Sequence, residues 1–178
     1  MAKGWLKFDA ASLLWRLELA GVDVGDRWAP VADKWMAHVD VHVLAFNDLH
    51  CAFTAARSPD PDHAMRLSRS LNDYERLGSG DNRRVTAEVG RRLTDGMLAF
   101  AVGDYAGAVE AILPVRKDAV RIGGSHAQRD IVNLTLIAAA ERSGQWRLAR
   151  ALLAERVGFR PTPRTKAQYA QALRQATG

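Results

Sequence analysis

The chain has 178 residues, 48% of them hydrophobic and 25% charged, the composition of one globular domain long enough to bury a sizeable core. A single cysteine, Cys51, excludes an internal disulfide framework and the Cys-rich zinc motifs. No apolar run reaches the roughly 18 residues that a membrane span needs. The N-terminal "MAKGWLKFDAAS" lacks the apolar core of a signal peptide, so cytoplasmic residence without membrane attachment is expected. The net charge of +5 is uneven, because residues 141–178 hold seven arginines and one lysine against Glu141 and Glu155. A basic tail can meet nucleic acid or an acidic partner. Aromatic residues such as Trp146 and Tyr169 interleave only sparsely with these arginines, too few for a stacking platform. The tail reads as the solvated face of two arginine-rich helices, and nucleic acid is not expected as a partner.

In chain order, apolar residues recur at helical spacing between joints marked by proline and glycine. Leu13, Leu14, Leu17 and Ala20 mark a first helix closed by Gly21. Residues 29–37 read as a second, with Trp28, Val31, Ala32 and Trp35 on one side. The spacing predicts a third over 41–57 and a fourth over 62–77. After "SGDNRRV", Asp81 or Asn82 can cap a helix over 83–102. Further helices are predicted near 104–120, 126–142, 145–157 and 164–176. Only "VDVHV" alternates like a strand, and a lone strand has nothing to pair with. The fold class is all-α, in a single domain over 1–178.

Two segments superpose on their turn glycines, "GMLAFAVGDYAGAVEAI" and "TLIAAAERSGQWRLARALL". Gly103 matches Gly144, Tyr105 matches Trp146, Ala108 matches Ala149, and Ile112 matches Leu153. This is the tetratricopeptide pattern. The glycine ends one helix in a left-handed cap, the alanine lets the paired helices approach, and the larger residues fill the seam. The best copies cover about 89–122 and 130–163, with the extra length around "VRIGGSHAQRD". An irregular α-α superhelix of tetratricopeptide-like hairpins is expected.

"SLLWRLELAGVDVGDRW", "HVLAFNDLH", "GDYAGAVEAILPVR", "IGGSHAQRDI" and "LARALLAER" together resemble the C-terminal part of the tetratricopeptide repeat protein 38 family, over about residues 8–160. The resemblance implies a helical repeat-like fold and no catalytic activity. Members of that family are longer, with further helices ahead of this region. The first helix here is therefore expected to lack its upstream neighbour.

"HVDVHVLAFNDLH" (38–50) concentrates three histidines and two aspartates. On one helix, His42, Phe46, Leu49 and Phe53 would share an apolar face with Val39. Only His38 and His42 would have the i, i+4 relation that clasps a metal, and zinc wants three or four converging ligands. A polar network is the expected role of His42, Asn47, Asp48 and His50, in a central helix covered on both faces. "GGSHAQRD" lacks the phosphate-loop pattern, whereas Ser125 followed by Gln128 makes a capping box. His126, Arg129 and Asp130 then fall in the first turn. Arg129 there is unfavourable unless paired, and Asp48 is the expected partner. Cys51 reads as inert packing.

No residue is assigned a catalytic role and no cofactor is expected. The reading is a non-enzymatic helical-repeat protein that binds a protein partner or assembles with itself. The alternative is a metal-dependent or small-ligand-binding enzyme built on the His/Asp cluster. Trp5, Phe8, Leu13 and Trp15 leave the first helix without a polar outer face. Repeat arrays cover such faces, so these residues are expected at the centre of a homodimer interface.

Overall fold

Helix breakers set the order of the elements, and the tight approaches between helices depend on small residues. The computed structural model describes residues 5–177, with side chains from Asp9 onward. All regular structure among the described residues is helical. Helix α1 (Trp5–Leu19) is followed by a 3-10 turn and α2 (Ala29–Met36), which carries Pro30 in its first turn. Next come α3 (Ala45–Ala56) and α4 (Asp62–Leu77), then α5 (Gly80–Val85), which runs through a π turn (Thr86–Gly90) into α6 (Arg91–Ala101). Helix α7 (Tyr105–Ile112) gives way to two short 3-10 turns, and α8 (His126–Arg142), α9 (Trp146–Phe159) and α10 (Pro163–Thr177) complete the chain. No helix among the described residues is long and apolar enough to cross a membrane.

The helix α3 lies at the centre, packed against α1, α2, α4, α6 and the π turn. Its residues are buried on every side apart from a half-exposed Asn47 and Ala56. This is the doubly covered helix that its apolar residues on both faces imply. The indole of Trp15 reaches the same core from α1, stacking on Phe53 at 4.9 Å and donating to the Thr135 hydroxyl of α8 at 2.9 Å.

Glycines end three helices in the same way. Gly21, Gly103 and Gly144 all take positive φ. The next residue's N–H bonds five residues back in each case: Val22 to Leu17, Asp104 to Ala99, and Gln145 to Ala140. That 6→1 bond is the Schellman cap. It turns α6 into α7 and α8 into α9 alike. Ala108 and Ala149 are fully buried just beyond their respective turns, as are Ile112 and Leu153.

Three expected boundaries move. The third helix starts at Ala45, not at 41, because His42 takes φ +42° and Leu44 is extended. Asn82 caps that helix from outside, accepting from the Ala45 N–H at 2.9 Å, instead of capping its own. The helix expected over 104–120 stops at Ile112, where Pro114 supplies no N–H and 3-10 turns take over.

Two glycines sit where helices nearly touch. A Cβ on Gly90 would lie 2.7 Å from the Ala45 Cβ, and one on Gly96 would lie 2.4 Å from Ile112 Cγ1. Gly158 in α9 has nothing within 4 Å of its Cβ position. Gly96→Ala is expected to lower the unfolding free energy by about 1–3 kcal/mol through overpacking. Gly158→Ala should leave it unchanged or raise it by less than about 1 kcal/mol. Urea denaturation of the two variants checks both the crossing and its cause.

Candidate functional site

Two polar assemblies emerge, one buried around His42 and one open at the start of α8. The first begins at the bend before α3. Asn82 clasps it from both ends, its amide donating to the His42 carbonyl at 2.7 Å while its oxygen caps Ala45. Held in that left-handed conformation, His42 lays its ring on Tyr74 at 4.7 Å. Its Nδ1 donates to Asp48 Oδ1 at 3.0 Å, and its Nε2 lies 2.8 Å from the Ser70 hydroxyl. Both His42 and Asp48 are buried, and Asp48 Oδ2 has no hydrogen-bond partner.

Aspartate, histidine and serine in this order reproduce the geometry of a nucleophile triad. The Ser70 proton, however, points elsewhere: the hydroxyl donates to Asp40 Oδ1 at 2.6 Å. That bond, ahead of the weaker pull of Arg66, holds the Asp40 carboxyl below its ordinary range. With the Ser70 hydroxyl directed to Asp40, its proton is not aimed at Nε2 of His42, as general-base catalysis requires. Ser70 also lies inside α4, where backbone N–H groups are engaged with carbonyls four residues back. No oxyanion hole comes from that helix. The network ties the bend to α3 and α4.

His50 belongs to a different environment, as its divergence from Asp48 on the helix requires. Its Nδ1 donates to the Phe46 carbonyl at 2.8 Å, and its Nε2 lies 3.0 Å from the Ser12 hydroxyl. Burial lowers its pKa to about 4, with the Arg16 charge adding to the effect and the Phe46 bond opposing it. Burial likewise raises the Cys51 thiol to about 12, helped by the Asp48 charge. It is a packing residue.

Several expected placements change. His38 is exposed in the turn after α2 and shares no helix with His42, so the i, i+4 metal pair does not form. Among the described residues no group of three or more His, Cys, Asp or Glu side chains converges to hold a metal. Asp48 and Arg129 do not pair: Asp48 turns to His42, while Arg129 donates to the carbonyls of Gly123 at 3.0 Å and of Gly124. Those loop carbonyls, not a carboxylate, offset its place in the first turn. Trp15 is only 1% exposed and belongs to the chain's own core, which removes it from a dimer interface. Leu13 is 56% exposed. The side chains of Trp5 and Phe8 lie outside the described residues.

The capping box forms as expected. Ser125 Oγ accepts from the Gln128 N–H at 3.3 Å, and Gln128 Oε1 accepts from the Ser125 N–H at 2.8 Å. It starts α8 beside an open groove of about 550 Å³. Arg116, Lys117, Ala119 and Val120 form one wall, with His126, Arg129, Asp130 and Asn133 of α8 and the C-terminal half of α9 around them. Asp130 accepts two bonds from Arg156 at 2.6 and 2.9 Å, and Glu155 accepts two from Arg116 at 2.8 Å. The Asp130 bonds, outweighing burial, raise the Arg156 pKa further. Sequence reasoning missed the α9 contribution, although the arginine excess after residue 141 was its visible sign. It also missed Ser70, whose spacing carries no pattern, and it gave the cap of Asn82 to the wrong helix.

No protein-family model matches the chain, and no solved structure matches it with significance.

Two outcomes check the buried histidines. Asp48→Ala leaves Nδ1 of His42 without its acceptor and is expected to lower the unfolding free energy by about 1–3 kcal/mol, read by urea denaturation at pH 7. For His50 the unfolded chain takes up a proton near pH 6.5 while the folded one resists until about 4. Its contribution is therefore full above 6.5 and is lost as the pH falls toward 4. Between pH 7 and 5 it amounts to about 2 kcal/mol. The pH dependence of stability in His50→Gln should be smaller than that of the parent by this amount.

Proposed function

We propose that the protein is a tetratricopeptide-like helical-repeat scaffold that binds another protein. The observation that carries this reading is the open groove bordered by α8, α9 and the 113–122 turns, at the junction of two hairpins with matching caps and seams. The resemblance to the tetratricopeptide repeat protein 38 family points the same way, and cytoplasmic residence is part of the same proposal. Self-assembly through α1 has less to rest on, since Trp15 lies inside the chain.

Groove side chains replaced singly by a photo-crosslinking amino acid test the proposal in living cells. Substitution at Lys117 and at Phe159 should each give the same discrete protein adduct, and substitution at Leu77, which is exposed away from the groove lining, should not. Adducts of equal yield from all three positions, or from none, would remove the groove from the proposal.

A second reading, an enzyme built on the His/Asp cluster, is favoured by the distances joining Asp48, His42 and Ser70. It requires Ser70 to give its proton to His42 in place of Asp40. A fluorophosphonate probe decides between them: no adduct is expected on Ser70. Stoichiometric labelling of the parent, abolished in Ser70→Ala, would establish the enzyme.

A further inference from the structure

The proposed interaction groove carries a charge pattern that its internal ion pairs do not use up. Five basic side chains line it, Arg116, Lys117, Arg129, Arg156 and Arg160, against two carboxylates, Asp130 and Glu155. Arg116 and Arg156 are each held by one of those carboxylates. Among the described residues Lys117, Arg129 and Arg160 have no ion-pair partner. Arg129 is fixed by backbone carbonyls, which orient its guanidinium without neutralising it. Lys117 and Arg160 are exposed, in the turn between the two 3-10 segments and just past the end of α9. Three uncompensated positive charges thus line one cavity.

The remaining lining has a different character. Ala119, Ile137 and Leu152 are buried at its base. Val120 and Phe159 are large apolar residues left exposed in the same lining, Phe159 at 92%. Asn133 is half-buried there and has no hydrogen-bond partner among the described residues, which leaves its amide able to donate and accept. Separate positive charges, an apolar base and a free amide match three parts of one ligand: carboxylates, an apolar side chain and a peptide bond.

We infer that the groove binds an acidic peptide segment of a partner protein, with one apolar side chain seated between the α8 and α9 walls and carboxylates on Lys117, Arg129 and Arg160. This rests on the scaffold reading above. A free phosphate fits less well: the capping box already occupies N–H groups at the start of α8, and the nearby loop presents the Gly123 and Gly124 carbonyls to Arg129. A nucleic acid strand would bring phosphates past Asp130 and Glu155 and find only the Phe159 and His126 rings for its bases. A peptide of mixed character places its charges apart and leaves the existing ion pairs intact.

The test uses the full chain and a phage-displayed library of random nonapeptides, selected in parallel on the parent and on the Lys117→Glu/Arg160→Glu variant. Both changes are at exposed positions, and a matched melting temperature confirms that the variant is folded. Enriched peptides should carry at least two net negative charges and one large apolar residue. Measured by fluorescence anisotropy, the best of them should bind the variant at least tenfold more weakly. Replacing its apolar residue by serine should also weaken binding, by at least fivefold. Enrichment of neutral or basic peptides, equal enrichment on both proteins, or none at all overturns the inference. So does tighter binding of a single-stranded oligonucleotide, or displacement of the peptide by millimolar inorganic phosphate. If this selection fails while Lys117 and Phe159 still cross-link a protein in cells, only the ligand class is wrong. If both fail, the scaffold reading falls with it.

Discussion

The fold depends on where α3 is allowed to begin. A helix covered by neighbours on all sides has no solvent into which an error of register can be relieved, so its first residue must be fixed. Asn82 fixes it, with one amide group holding the His42 carbonyl and the Ala45 N–H together. The left-handed backbone at His42 costs about 1–3 kcal/mol in a residue with a Cβ. The ring offsets that cost by bonding Asp48 Oδ1 of α3 and the Ser70 hydroxyl of α4. Bend, cap and network are one device. Each part is poorly placed alone.

This device also explains what the sequence could and could not convey. Periodicity carried the elements with clean punctuation: α4, α8, α9 and α10 fall within a few residues of their expected ranges. The Ser125–Gln128 box and the glycines at 103 and 144 could be read because their chemistry is local, complete within six residues. The start of α3 was not legible, since its cap comes from a residue 37 positions away. Asp48 is bound not by Arg129 but by His42 of its own segment, in a conformation no periodic reading contains. Arg129 looked uncompensated because backbone carbonyls of a glycine loop leave no mark in a charge count.

In the groove a similar division holds between groups with fixed partners and groups without. Arg116 and Arg156 are pinned by carboxylates that the chain supplies, which gives the walls their shape. Half-buried pairs of this kind add little net stability, because desolvation offsets much of their attraction. Their effect is geometric: the bidentate Arg156–Asp130 contact ties α9 to α8, and Arg116 ties the turn at 116–117 to α9. Cations not bound in this way keep their field for whatever enters. Rigid pairs beside free charges give a surface that selects by position as well as by sign.

Cys51 lies on α3 with its sulfur against Met36, and its ionisation is displaced to about 12. At neutral pH it is thus almost wholly a thiol, enclosed on every side and slow toward alkylating reagents. As the chain's single cysteine, it gives the folded protein a silent background for thiol chemistry. A cysteine introduced anywhere on the surface would be the one that reacts, so dyes or spin labels can be placed without first removing the native residue. The native thiol becomes reactive when α3 is uncovered, and its rate of modification then reports how often the centre of the molecule opens.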